Sequence, residues 1–205
     1  SVVHELPKWG IPFVFVDRSI EDIDADAVLS DNVEGAYQAT RHLIGQGNRR
    51  IGLILGIKGA TTTKERLAGY CKALDEARLP FSEELVAYGG YRVEGGQKMT
   101  EKFLSLPEPP AAIFSTNNLM TVGVLKTLAQ RKISIPKEMT VVSFDDLDLG
   151  DMLVFPLAVV VQKPYEIGKK AVSMLLDRIQ HGSKVQPRFI RVPTELRIRE
   201  CMRKQ

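Results

Sequence analysis

The sequence predicts an α/β fold with parallel sheets, and three features carry that expectation. Short apolar runs alternate with stretches of helical periodicity along most of the chain. The runs are unbroken, as in Ile51-Gly52-Leu53-Ile54-Leu55 and Val141-Val142-Ser143-Phe144, which is the pattern of strands covered on both faces. Several end abruptly in a polar residue, among them Asp17, Asn117 and Asp145. In doubly wound folds small molecules bind just beyond the carboxyl ends of the strands, so Asn117 and Asp145 are pocket candidates by position.

Residues 1–9 read as the tail of a helix entering a strand, so the chain is expected to start inside a fold. Ile11 to Val16 is a central strand closed by Asp17-Arg18. A short strand around Ala27 to Leu29 follows an acidic loop. Ser30-Asp31-Asn32 then caps a helix whose apolar face is Val33, Ala36, Tyr37, Thr40, Leu43 and Ile44, stopped by Gly47-Asn48. After the strand Ile51–Leu55, the glycine and threonine loop Gly56–Thr63 feeds a helix over Lys64–Ala77. That loop is either a flexible connection or a phosphate cradle; its spacing matches neither G-x-G-x-x-G nor a Walker A loop. Arg66 lies in the predicted first turn, unfavourable for a cation by the helix dipole. It is therefore either a ligand contact or an ordinary surface arginine.

Val86–Tyr88 is a weaker strand, and Tyr91 falls on the loop before a helix over Glu94–Leu106. Its ring is placed either to stack on a ligand or to half-bury in the loop. Ala112-Ile113-Phe114 is a buried strand, Ser115 to Asn118 a cap, and Leu119, Val122, Leu125 and Leu128 one helix face. Met139–Phe144 is a strand running into Asp145-Asp146, and Leu157–Val161 another, broken by Gln162-Lys163-Pro164. A helix over Tyr165–Gln180 turns Ile167, Ala171, Met174, Leu175 and Ile179 inward, and two short strands, Arg188–Val192 and Glu195–Arg199, finish the chain.

The chain has 205 residues, 44% hydrophobic and 26% charged, with a net charge of +3 and a pI near 8.8. The cations are scattered, so no nucleic-acid footprint stands out. Of the two cysteines, Cys71 falls on an apolar helix face as a buried free thiol, and a disulfide with Cys201 is not expected. No run of roughly 18 apolar residues and no leader peptide is visible, which places the chain in the cytoplasm. His4, His42 and His181 form no cluster, and no nucleophile–base pair or metal-ligand spacing occurs, so neither catalysis, a cofactor nor a metal is expected. Asp145 and Asp146 fail as a glycosidase pair because adjacent strand residues point opposite ways.

The strand count argues against one sheet. Two lobes joined by several crossovers account for Gln46–Arg50, Val161–Pro164 and Pro187 as connections. The expected division is residues 1–48 plus 163–186 in a partial N-terminal lobe and 49–162 plus 187–205 in a C-terminal lobe.

Residues Ile11 to Arg18, Ser30-Asp31-Asn32 with Gly35-Ala36, His42-Leu43-Ile44 and Arg49-Arg50-Ile51-Gly52 resemble the ligand-binding core of LacI/GalR-type transcription regulators. The likeness continues through Glu65 to Tyr70, Ala112-Ile113-Phe114 with Asn117, Ile135-Pro136, Val141 to Asp146, Pro156-Leu157 and Pro193 to Leu196. It implies a two-lobed, type I periplasmic-binding-protein-like fold with an incomplete N-lobe, binding a sugar or nucleobase between the lobes. The resemblance carries the family's cleft positions to Arg66, Tyr91, Asn117 and Asp145, with Thr62 and Gln162 as weaker candidates. Asp145 then accepts hydrogen bonds, Arg66 and Asn117 donate them, and Tyr91 forms a wall. The implied protein is a homodimer that meets operator DNA through a DNA-binding domain absent from this chain and does not enter a membrane. Ser143, Asn118 and Ala158-Val159 depart from the family's usual glycine, acidic residue and threonine pair. The alternative is a periplasmic solute-binding protein of a sugar transporter, which shares the fold.

Overall fold

A computed structural model of the chain describes residues 2–20, 22–147, 153–181 and 186–199. Cys201 lies outside the described residues. Two compact units are present: residues 1–31 with 162–194, and residues 32–161 with 195–205.

The larger unit is built on a six-stranded sheet in the order β4-β3-β5-β6-β7-β9, where β3 is Ile51–Leu55, β4 Val86–Tyr88, β5 Ala112–Ser115, β6 Thr140–Phe144, β7 Leu157–Val161 and β9 Glu195–Arg199. All pairings are parallel except β7 with β9. The unbroken apolar runs are explained by cover on both faces. Ile51, Leu53, Leu55, Phe114, Val142, Phe144 and Val160 pack against Ala36, Leu43, Tyr70 and Leu74 of helices α2 (Asn32–Gly45) and α3 (Thr61–Glu76). The alternate residues Ile54, Ile113, Val141 and Val159 pack against Phe103, Met120, Val124 and Leu128 of α4 (Val93–Leu104) and α5 (Asn118–Gln130).

Each helix pair closes over glycine. A Cβ built on Gly69 of α3 would lie 2.2 Å from the Val33 carbonyl oxygen of α2, and one on Gly123 of α5 would lie 2.1 Å from the carbonyl oxygen of Val93. Gly69→Ala should therefore force α2 and α3 apart and lower stability by roughly 1–3 kcal/mol, read as a lower urea midpoint with an unchanged slope.

The smaller unit holds a parallel three-stranded sheet in the order β1-β2-β8, with β1 Val14–Val16, β2 Asp26–Ser30 and β8 Phe189–Val192. Helix α6 (Pro164–His181) lays Ile167, Ala171 and Met174 on Val28 and Val192. A four-residue helix α1 (Val2–Glu5) precedes β1. Ile179, expected inward, is exposed. Arg178 takes the inward place in that last turn, because Asp26, the fully buried first residue of β2, accepts both its Nε at 2.8 Å and its Nη2 at 3.0 Å. The Arg188 backbone amide, at 2.7 Å, completes the cradle of the Asp26 carboxylate.

The expected boundaries at 48/49 and 186/187 are corrected by this division. Helix α2 belongs to the larger unit, since its buried face seats on α3 and the six-stranded sheet, while β8 pairs with β2 and so belongs to the smaller one. The chain passes between units at 31/32, 161/162 and 194/195; of the expected connections, the stretch Val161–Pro164 contains the second.

Candidate functional site

The strand order of the larger unit reverses at β3, which has β4 on one side and β5 on the other. The crevice at the carboxyl ends beside such a reversal is where open α/β sheets take ligands. Four loops leave this edge in the order of the strands: β4 leads to Tyr91, β3 to Thr62 and Arg66, β5 to Asn117, and β6 to Asp145. Five of the six predicted site residues thus share one edge of one unit. Gln162 belongs to the other unit, where its side-chain oxygen accepts a hydrogen bond from the Ser30 hydroxyl.

Arg66 is 4% exposed, which removes the surface-arginine reading. Helix α3 starts at Thr61, three residues before the predicted start, so Arg66 sits in the second turn and the dipole argument does not apply. Its guanidinium carbon lies 3.7 Å from the centre of the Phe144 ring, its Nε donates to Asn32 Oδ1 at 2.9 Å and its Nη1 donates to the Thr116 carbonyl. A buried cation is tolerable only with such partners. Thr116 is itself tied across the crevice, its amide and hydroxyl both donating to the Ile54 carbonyl at 2.9 and 2.8 Å.

Tyr91 is half-buried, and its hydroxyl hydrogen-bonds with Thr62 Oγ1 at 2.9 Å and Thr63 Oγ1 at 3.0 Å. Its ring lies where a Cβ on Gly56 would be, 1.9 Å from the ring carbon Cζ, so Gly56 serves packing here. Thr62 acts in this structure as a tether for the Tyr91 ring.

Asn117 caps α5. Its Oδ1 accepts from the amides of Leu119 and Met120 at 3.0 and 3.4 Å, which commits the oxygen to the helix and makes Nδ2 the group available to donate.

Asp145 and Tyr91 both adopt positive φ, 71° and 60°, a conformation that costs side-chain-bearing residues about 1–3 kcal/mol and concentrates at ligand sites. The Asp145 turn is held by its amide, which donates to the Val160 carbonyl at 2.9 Å, and by the Ser143 hydroxyl, which donates to its carbonyl at 2.8 Å. The neighbouring carboxylate, that of Asp146, is engaged elsewhere, in an ion pair with Arg199 of β9.

Sequence reasoning missed the supporting residues. Asn32 read as part of a helix cap, yet it is 1% exposed and also donates from Nδ2 to Glu65 Oε2 at 2.8 Å. Phe144 read as core, and its partnership with Arg66 depends on a contact between distant parts of the chain. Cys71, expected buried, is half-buried and free, its thiol pushed above the usual range by partial burial.

The arrangement is a rim of fixed donors and acceptors over a buried cation, suited to a small polar molecule with a flat or ring-shaped body. Among the described residues no helix is long and apolar enough to cross a membrane.

Known proteins share this fold. A family model described as a periplasmic binding protein-like domain matches residues 40–202. The chain is 33% identical over 195 residues to the HTH-type transcriptional repressor PurR of Actinobacillus pleuropneumoniae, covering 95% of this chain and 58% of that protein. Among solved structures, a transcriptional regulator CelR–cellobiose complex superposes with a TM-score of 0.90 at 30% identity, covering 98% of this chain and 62% of that one. A regulatory protein of LacI family from Chloroflexus aggregans superposes with a TM-score of 0.87 at 32% identity, covering 97% and 71%. The chain spans just under three fifths of the PurR relative's length. It belongs to the LacI family of transcription regulators.

Proposed function

We propose that the chain is the effector-sensing domain of a LacI-type transcription regulator and that a sugar or nucleobase-like effector binds at the carboxyl edge of the six-stranded sheet. The observation that carries this reading is the run of Tyr91, Thr62, Arg66, Asn117 and Asp145 along consecutive strand ends around the strand-order reversal, with Arg66 buried and Tyr91 and Asp145 at positive φ. Asp145 accepts hydrogen bonds from hydroxyl or N–H groups of the effector, Arg66 and Asn117 donate, and the tethered Tyr91 ring packs against its body. A bound cellobiose in the similar CelR complex supports a sugar, and the similarity to transcriptional repressors favours a regulator over a transporter's solute-binding protein.

The effector acts by binding one conformational state better than another, which changes operator affinity in the intact regulator. Such a protein works in the cytoplasm as a homodimer.

Titration calorimetry with D-ribose, cellobiose, adenosine and hypoxanthine tests the reading. At least one should bind, and Asp145→Ala should weaken it by about tenfold to a hundredfold, the range for losing a hydrogen bond to a charged group. A folded protein that binds none of the four, with operator release unchanged by Asp145→Ala, overturns it.

A further inference from the structure

We propose that Asn32 is a positioning residue that fixes the Arg66 guanidinium, and that Glu65 completes the device from its other side. Asn32 is the first residue of α2, and the chain enters the larger unit at this residue. Asn32 is turned toward α3: its oxygen accepts from Arg66 Nε at 2.9 Å, and its Nδ2 donates to Glu65 Oε2 at 2.8 Å.

The amide thus bridges two adjacent residues of α3 that carry opposite charges, accepting from one and donating to the other. The Asn side chain presents an acceptor and a donor together on one planar amide. Asn32 is 1% exposed. Three partners of the guanidinium act in different directions. Phe144 supports its face, Thr116 takes Nη1, and Asn32 takes the Nε edge, which stops the plane from rotating over the ring. Removing Asn32 leaves the ring contact in place and lets the fork swing, so Arg66 stays buried with its donors misdirected. The importance of this for effector binding rests on the ligand-site reading above; the positioning itself does not.

Two readouts separate the two claims. In the first, the Arg66 Nε–H signal in a nitrogen–proton spectrum, assigned by its loss in Arg66→Lys, should be protected from solvent exchange in the wild type and in Asn32→Asp, which keeps the acceptor. It should broaden in Asn32→Ala. A signal that persists unchanged in Asn32→Ala overturns the proposal, and Asn32→Asp keeps the comparison alive if the alanine variant fails to fold.

In the second, binding of D-ribose, cellobiose, adenosine and hypoxanthine is measured. Asn32→Ala should weaken whichever probe binds by about tenfold, and the double variant Asn32→Ala/Arg66→Ala should be no weaker than Arg66→Ala alone, since Asn32 acts through Arg66. Additive losses overturn the positioning role. Asn32→Asp sets a second carboxylate against Glu65, and Asn32→Asp/Glu65→Gln restores donor and acceptor with the polarity reversed. Recovery of the melting temperature in that pair is expected, and its absence overturns the bridging role of Glu65. If none of the four probes binds while the Nε–H signal behaves as stated, the positioning stands and the effector reading falls.

Discussion

Arg66→Ala should reduce effector binding by about a hundredfold or more and lower the stability of the larger unit by roughly 3–5 kcal/mol, the two losses coming from one side chain. The binding loss follows from removing a buried cation at the carboxyl ends of β3 and β5. The stability loss has a separate origin. Asn32 Oδ1 and the Thr116 carbonyl each lose a charged donor in a buried setting, and the Phe144 ring loses the plane that covers it at 3.7 Å. Arg66→Lys should recover part of the stability and little of the binding, because an ammonium cannot reproduce a planar fork held on three sides. Calorimetry for binding and urea unfolding followed by circular dichroism check both halves. Full binding by Arg66→Ala would remove the residue from the site.

The second large effect is expected in the smaller unit. Asp26→Ala should destabilise it by roughly 3–5 kcal/mol, since Arg178 and the Arg188 amide would face a buried gap. The carboxylate also sets a pH dependence. Burial acts to raise the Asp26 pKa, and the hydrogen bonds from Arg178 and the Arg188 amide, with the charges of both arginines, outweigh it and hold the group below its ordinary value of 3.8. A carboxyl depressed in the folded state contributes stability that is fully present above the unfolded pKa and lost as the pH falls through the folded one. The wild type should therefore lose stability below about pH 4, and Asp26→Asn, less stable at neutral pH, should lack that component of the acid decline. Thermal unfolding followed from pH 7 to pH 2.5, with amide exchange in β2 as the local probe, measures the difference. Parallel curves for the two proteins would assign the acid response elsewhere.

The strands were legible because buried parallel strands need apolar residues on both faces, and the runs at Ile51, Ala112, Val141 and Leu157 leave no other placement. The places of Asn117 and Asp145 were legible too, since a polar residue ending such a run must sit at the carboxyl edge. The mechanics of the site were not. The sequence places the start of α3 three residues late because Thr61-Thr62-Thr63, β-branched and without a side-chain cap at Ala60, looks like loop. That shift moves Arg66 into the first turn, where a dipole argument would apply that the structure does not support. The unit of helix α2 is not legible because the buried face of Ala36, Ala39 and Leu43 would suit either sheet, and its seat on Gly69 and on the six-stranded sheet depends on contacts distant in the chain. The role of Asn32 left no local signal, as its partners lie 33 and 34 residues away.

The glycine contacts between α2 and α3 and between α4 and α5 bear on affinity as well as on packing. Helices seated backbone against backbone have little room to slide, so Tyr91, Arg66 and Asn117 are carried on or beside anchored helices. A site preorganised in this way loses little conformational entropy when it is filled, and a small effector with few atoms to contribute can then bind with most of its contact energy retained.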